Sequence, residues 1–471
     1  MSGTGTRRRG HAPAGQARGR ASAGGARLTR RGRILAWGAG VTSLVVLGIG
    51  GAGAWIYQDL NGNIQQADVD GKLGENRPVN LSPGSKNIML VGSDSRDGAN
   101  AEYGKDLTTM QSDTLMVLHI PASREWASVV SFPRDSWVEI PSCEKGDGSS
   151  SSVHHFKINE AFAIGGTSGK VAGAAACSIK TIEANTGLRI DNFMSIDFSG
   201  FKGMVDALDG IEVCPEEAIH DKKARLDLPA GCQTIRGEKA LGYVRTRYSV
   251  GDGSDIGRIG RQQEFMDAMA KKAKSKLTDA DAMYGFLKSV TKSLTADPGL
   301  AGLEPLYGLA NELKGIDSDR LNFFTVPNYG READDPSDRA NVVWQYPQAA
   351  DVFTSLAKDK EVTKAQVEAA KKDVVYASSV KVQVLNGTGV GGRAAAVGER
   401  LTTAGYSLAG TGNASGTATK TTVTYPAGLE RQAAALASRL PGGVKAAQDA
   451  SAAAGVVTLT VGTDLKVDQV A

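Results

Sequence analysis

The sequence predicts an α/β protein. It reads as an α/β/α sandwich on a central mixed sheet, then a smaller C-terminal α/β domain, with one N-terminal transmembrane helix ahead of both. Apolar runs at Lys86–Val91, Asp113–Ile120 and Ala127–Phe132 are continuous rather than alternating, as in strands buried on both faces. Helix-like stretches at Gly169–Ala184 and Phe201–Leu208 follow them, the mix of elements that builds α/β layers. From Val380 a strand, a glycine-rich turn and a helix open a second series.

The chain has 471 residues and a net charge of +3, enough length for two domains with tails and no global charge bias toward nucleic acid. Residues 1–33 hold nine Arg, no Asp or Glu, and much Gly, Ala and Ser, a composition expected to stay a disordered basic tail. Residues 34–57 are uncharged; about 24 residues make a helix about 36 Å long, enough to cross a bilayer. Trp37, Trp55 and Tyr57 stand near its ends, basic residues precede it, and Asp59, Asp68 and Asp70 follow. The expected topology is a single pass through the plasma membrane, with the N-terminus cytoplasmic and the rest outside. The apolar run is too long for a cleaved signal peptide.

Residues 58–82 are polar and punctuated by Gly and Pro, a tether. The first domain spans 83–357. Its first strand exits into Asp94 and Arg96, its second opens at Asp113, and its third exits into Pro133-Arg134-Asp135; a later loop carries Lys157 and Asn159. Ligands of such sheets collect at strand ends. Leu321–Val326 is a further strand and Asp351–Leu356 lies in the last helix. Residues 358–378 are a linker, charged and Ala-rich to about Lys372 and expected to be helical there. In the second domain, 379–466, a strand from Val380 leads through a Gly-rich turn to a helix ending at Ala404. Thr421–Tyr425, Pro426–Leu440 and Val456–Val461 follow as strand, helix and strand.

The most distinctive stretch runs from Arg245 to Gln263. It starts inside Ala240–Val244, read as a strand, where alternation puts Arg245 and Arg247 on one face. A turn rich in Gly, Asp and Ser follows, and Ser254 or Asp255 caps a helix with Ile259, Phe265, Met266 and Met269 on its apolar side. Arg258, Arg261 and Gln262 are three and four apart and share one side of that helix. Four guanidiniums thus converge on a helix N-terminus, which already favours an anion. Planar bidentate forks suit phosphate better than an ammonium does. The expected site is a pyrophosphate pocket. Asp94 and Asp113 add hard oxygen ligands that suit Mg²⁺ or Mn²⁺; the plain alternative is that each caps a turn or pairs with an arginine.

Cys143, Cys177, Cys214 and Cys232 fit no zinc spacing and, outside the membrane, are expected to form two disulfides. Of three connectivities, Cys214–Cys232, which closes a local loop, is preferred, with Cys143–Cys177. Gly165–Lys170 is one residue short of a P-loop and lacks the Ser/Thr. No Gly-x-Ser-x-Gly elbow or His-Glu-x-x-His occurs.

Gly92-Ser-Asp-Ser-Arg96, Ser112-Asp-Thr-Leu-Met116, Ser131-Phe-Pro-Arg-Asp135, Lys157-Ile-Asn159 and Arg245 through Arg258-x-x-Arg-Gln-Gln263 together resemble the LytR-CpsA-Psr family. The tail from Val380 resembles the C-terminal domain often appended to actinobacterial members. The resemblance implies a membrane-anchored phosphotransferase that moves a glycopolymer from a polyprenyl-pyrophosphate carrier to peptidoglycan, with the lipid tail in a hydrophobic pocket. It implies metal binding by Asp94 and Asp113, and pyrophosphate contacts from Arg134, Lys157, Arg245, Arg247, Arg258 and Gln262. Asp135 and Arg261 match motif positions, and either Asp252 or Asp255 fills the family's acidic position. A non-catalytic lipid-phosphate receptor and a pyrophosphatase are the alternatives. A DNA-reading regulator is not, since the N-terminal tail offers no such fold. With no Arg–Asp constellation beyond Lys372, the second domain is expected to be dispensable for turnover.

Overall fold

The first domain's strands, in chain order, are Gln65–Gln66 (β1), Lys86–Ser93 (β2), Ser112–Ile120 (β3), Ala127–Phe132 (β4), Trp137–Ile140 (β5), His154–Lys157 (β6), Asn192–Asp197 (β7), Ile211–Val213 (β8), Ile219–Asp221 (β9), Leu226–Leu228 (β10), Gln233–Ile235 (β11), Leu294–Ala296 (β12), Leu321–Thr325 (β13), Asn328–Gly330 (β14) and Val342–Trp344 (β15). Its helices are Asp70–Leu73 (α1), Glu160–Gly165 (α2), Val171–Thr186 (α3), Phe198–Ala207 (α4), Gly237–Arg245 (α5), Asp255–Lys276 (α6), Ala280–Ser293 (α7), Leu303–Lys314 (α8), Gln348–Ala357 (α9) and Lys364–Ala370 (α10). This computed structural model describes residues 54–93, 110, 112–246, 255–276, 280–467 and 470; the side chains of 255–259 and 280–282 fall outside that description. Residues 1–53, and with them nearly all of the predicted span, lie outside the described residues. Among the described residues no helix is long and apolar enough to cross a membrane.

Seven strands form one mixed sheet in the order β1-β12-β7-β2-β3-β4-β13. β7 is parallel to β2 and β13 parallel to β4, whereas β3 runs against both β2 and β4. Successive side chains of a strand face opposite ways. Met89 and Val91 therefore pack with Phe162, Ile179 and Phe353 of α2, α3 and α9. Ile88 joins Leu118, Val129 and Leu309 on the other face, toward α6–α8. Helices cover both faces, which explains why the strands read as unbroken apolar runs.

Three expectations need correction. Residues 58–82 are not a tether: β1 extends the sheet beside β12, and Leu60, Ala67, Val69 and Leu73 are buried. Those apolar residues are too few to look like a strand or helix but enough to cover the sheet edge. The linker helix expected after Lys358 does form, at Lys364–Ala370, but it is no separate linker, because Val362 and Val367 enter the first domain's core and Ser128 Oγ donates to Val362 O at 3.1 Å. Ala240–Val244 is helical, within α5. A run of five residues fits either period, and Ala240, Leu241, Gly242 and Tyr243 are all buried, so the helix is covered around most of its circumference. The helix ends at Arg245, and Arg247 lies outside the described residues.

The second domain adds Lys381–Asn386 (β16), Ser407–Asn413 (β17), Thr422–Tyr425 (β18), Ala446–Gln448 (β19) and Val457–Val461 (β20), ordered β17-β16-β20-β18-β19, with helices Arg393–Thr403 (α11) and Glu430–Ser438 (α12). Val382, Val384, Leu401, Leu436 and Leu459 make its own core.

Both disulfides take the preferred pairing: Cys143–Cys177 ties the segment after β5 to α3, and Cys214–Cys232 closes the hairpins β8–β11. Constraining that loop of 18 residues is worth about 3 kcal/mol through the unfolded chain. Labelling the denatured, unreduced protein with a maleimide should find no free thiol. Cys214→Ser with Cys232→Ser should lower the unfolding free energy by about that amount; an unchanged urea midpoint would refute the assigned role.

Candidate active site

Because β3 is antiparallel to its neighbours, its first residues lie where β2, β4 and β7 end. Leu115 pairs with Val91 on one side and Phe132 on the other, and Ser93 sits beside Asp197. This sheet end gathers Asp113, the Pro133–Asp135 turn and Asp197. Arg134 Nη1 donates to Asp113 Oδ1 at 2.6 Å. Among the described residues, buried Arg134 Nε and Ser112 Oγ have no hydrogen-bond partner, although Nε lies 3.7 Å from Asp135 Oδ1. An unsatisfied buried donor costs on the order of 1–3 kcal/mol, and an anion with its waters would satisfy both.

Helix α6 is pinned to this end. Gln263 Nε2 donates to Ser131 Oγ (3.2 Å) and Thr325 Oγ1 (2.9 Å). Its neighbours hold the end of α5: Gln262 Nε2 donates to Val244 O at 2.8 Å and Arg261 Nη2 to Thr246 O at 2.6 Å. Helix-terminal carbonyls lack intrahelical donors, so these side chains act as caps. Arg245, the last residue of α5, is thereby fixed with its guanidinium carbon 4.8 Å from the Phe198 ring centroid.

Between the sheet and α4–α6 lies a cavity of about 390 Å³. Leu90, Met116, Met194, Ile196, Phe198, Phe201, Met204, Leu241, Val244, Met266 and Met269 form its apolar wall. Five of the chain's nine methionines are in that group; unbranched thioethers adapt to a flexible guest. Asp113, Arg134 and Asp197 meet the cavity from the sheet end, and Arg245 and Gln262 from α5 and α6. Asp221 and Lys223 also line it, and neither was singled out in the sequence. They belong to the β9–β10 hairpin inside the Cys214–Cys232 loop. Asp221 Oδ1 accepts from Lys223 N (2.9 Å) and Ala224 N (3.0 Å), forming the corner. That corner fits against α5 only because residue 242 is glycine: a Cβ there would lie 2.8 Å from Ala224 O.

Of the predicted site residues, Asp113, Arg134, Arg245 and Gln262 therefore come together on the cavity. Asp94, Arg96 and Arg247 lie outside the described residues. Asp255 and Arg258 fall in the first turn of α6, their side chains outside the description. The other four, Asp135, Lys157, Asn159 and Arg261, do not line the cavity. Lys157 Nζ bridges Asp135 Oδ1 (2.6 Å) and Ala340 O (2.9 Å), a strut behind the Arg134 turn. Asn159 gives its backbone N–H to Arg134 O at 3.3 Å. Arg261 is drawn below the usual arginine range by burial and serves α5 as a cap. For a metal, the donor chemistry of Asp113 fits: Mg²⁺ is commonly held by one or two carboxylates, water and substrate phosphate. Among the described residues no group of three or more His, Cys, Asp or Glu gathers.

Asp135 is only 8% exposed, so removing Lys157 leaves its carboxylate with Arg134 Nε, 3.7 Å away, as a longer and weaker partner. Lys157→Met should cost about 1–3 kcal/mol in urea unfolding, and Asp135→Asn in the same chain should recover part of it. Additive losses would mean the two residues do not form a strut.

The LytR_cpsA_psr family model matches residues 56–360, and a second model, LytR cell envelope-related transcriptional attenuator, matches 379–465. Among curated proteins, the chain is 41% identical over 195 residues to a probable cell wall biosynthesis protein, LcpB of Corynebacterium glutamicum, covering 40% of this chain and 42% of LcpB. It thus spans less than half of that relative's length. It is 28% identical over 398 residues to the cell wall biosynthesis protein LcpA of the same organism, covering 79% and 75%. It is 28% identical over 294 residues to the polyisoprenyl-teichoic acid–peptidoglycan teichoic acid transferase TagT of Bacillus subtilis, covering 60% and 83%. A solved LytR-Csp2A-Psr enzyme from Actinomyces oris is similar with a TM-score of 0.47 at 18% identity, over 62% of this chain and 96% of that one, a likeness too loose to bear on function. The family model alone covers well over half the sequence, and the chain belongs to the LytR_cpsA_psr family.

Proposed function

We propose that this chain is a membrane-anchored extracytoplasmic phosphotransferase that moves a cell-wall glycopolymer from a polyprenyl-pyrophosphate carrier to peptidoglycan. One observation carries the reading: a Met-lined apolar cavity of about 390 Å³ is met by Asp113, Arg134, Arg245 and Gln262. A lipid pyrophosphate joins a tail that needs dry apolar walls to a head that needs fixed cations. Relatives named as teichoic acid transferases and cell wall biosynthesis proteins support the same class of substrate. The anchor is the span predicted at 34–57.

Arg134 and Arg245 hold the pyrophosphate oxygens, and Arg134 Nε, 3.7 Å from Asp135 Oδ1 and in no hydrogen bond among the described residues, has a donor to give. A peptidoglycan hydroxyl attacks the phosphorus nearer the glycopolymer. A new P–O bond forms, the bond to the bridging oxygen breaks, and polyprenyl phosphate leaves; the hydroxyl proton passes to a carboxylate at the sheet end. Charge builds on equatorial and leaving oxygens, where preorganised guanidiniums stabilise it. Asp113, with Asp94, would hold Mg²⁺ or Mn²⁺, whose charge when bound offsets that of the pyrophosphate.

The test measures binding and transfer separately, with a short-chain polyprenyl-pyrophosphate saccharide and a peptidoglycan fragment. Asp113→Ala should still bind lipid but lose at least about a hundredfold in turnover, the scale for one charge-stabilising group. Arg245→Ala should weaken binding and turnover together, with Lys rescuing only in part. Binding without transfer by the unaltered protein would mark a receptor. Hydrolysis to polyprenyl phosphate and a free saccharide phosphate, without transfer to the acceptor, would mark a pyrophosphatase. Normal turnover by Asp113→Ala at saturating metal would remove Asp113 as a ligand.

A further inference from the structure

We propose that the C-terminal domain is a positioning domain for the catalytic sheet end: Arg400, bound to Glu139, holds in place the turn that aims Arg134. This rests on the phosphotransferase reading above, and it departs from the expectation that the second domain is dispensable.

The turn has little structure of its own. Ser136 N donates to Pro133 O at 2.9 Å, and the chain passes at once into β5. Besides the Arg134–Asp113 pair and the bond from Asn159 N to Arg134 O, it is supported from β14–β15 and β5–β6. Val342 N donates to Asp135 O at 3.0 Å, Trp344 Nε1 to Ser136 Oγ at 3.0 Å, and Lys157 ties Asp135 to Ala340 O. The second domain grips both hairpins. On β5, Glu139 accepts from Arg400 Nη2, while Arg400 Nε donates to Val470 O at 2.6 Å. The Glu139 and Arg400 side chains are only 14% and 22% exposed, so the pair is poorly screened. On β14–β15, Ser378 N donates to Asp334 Oδ1 at 2.8 Å, just beyond β14, and Ala377 N to Tyr329 Oη at 3.2 Å. Arg331 lies 4.5 Å from the Trp137 ring centroid and reaches Thr403 O at 3.5 Å. His155, across from Glu139, is pushed down to about 4 by burial and then by Arg400, Arg439, Arg331 and His154. It stays neutral there, so Glu139 meets Arg400 beside an uncharged ring.

Glu139 is four residues from Asp135 along an extended strand. A shift of the second domain therefore moves the turn, and a displacement near 1 Å at a catalytic group costs on the order of a hundredfold in rate. Lipid capture by the cavity wall does not depend on this relay.

The experiment uses the full chain with Arg400→Ala, Arg400→Lys, Glu139→Gln and the exchanged pair Glu139→Arg with Arg400→Glu. Steady-state kinetics on the short-chain lipid is combined with hydrogen–deuterium exchange over residues 131–140, and over 457–461 to confirm that the second domain stays folded. Arg400→Ala and Glu139→Gln should lower kcat/KM at least about tenfold, with kcat and the hold on the pyrophosphate falling together, and exchange over 131–140 should quicken. Lysine and the exchanged pair should restore part of both. Unchanged kcat and exchange in folded Arg400→Ala and Glu139→Gln would overturn the proposal. If the unaltered protein binds lipid but transfers nothing, the enzymatic reading fails, and the exchange data still decide whether Arg400 orders the turn.

Discussion

The site depends on one reversal of chain direction. Were β3 parallel to β2 and β4, Asp113 would open the strand at the opposite end of the sheet, far from Arg134. Antiparallel pairing places a strand's start among its neighbours' exits. A carboxylate from one segment then meets a guanidinium from the next. The parallel β2–β7 pair brings Asp197 to the same edge. The sheet thereby offers charged side chains at one end and apolar ones a few residues further in, the two chemistries a lipid pyrophosphate needs.

Cations beside an apolar cavity are costly unless each has something to hold it. Here the basic residues divide by task. Arg134 leans on Asp113 and Arg245 on the Phe198 ring, and both reach the cavity. Arg261 and Lys157 are turned to backbone carbonyls and Asp135, and hold the elements that carry the first pair. Gln262 does both, lining the cavity while capping α5. Residues of one motif thus contribute by different routes, and losing a supporting one would disturb geometry before it disturbed charge.

The strands around the site were legible because burial on both faces leaves an unbroken apolar signature. β7 was not, since Asn192, Ser195 and Asp197 interrupt its apolar residues, although it is central to the sheet. The α5 segment misled because a run of five residues carries no reliable period. Asp113, Arg134, Arg245 and Gln262 were found through spacing and residue chemistry, which motifs preserve. The cavity was invisible for a different reason. Its methionines come from β3, β7, α4 and α6, and nothing local in Met116, Met194, Met204, Met266 or Met269 says that they share a wall. Asp221 and Lys223 were missed likewise, their position being set by a disulfide loop folding onto Gly242.

The cavity's size bears on how an anchored enzyme would meet its lipid. About 390 Å³ is near the lower end of the range for small-ligand pockets. A polyprenyl carrier is far longer than such a space can hold. On the proposed reading, only the first isoprene units leave the bilayer, and the rest of the tail stays behind. Lifting a short segment exposes little apolar surface in transit, at roughly 25 cal/mol per Å² of such surface. The pyrophosphate then reaches Arg134 and Arg245 with its tail still in the membrane. A soluble form would have to extract the whole carrier, so anchoring would aid catalysis by making partial extraction sufficient.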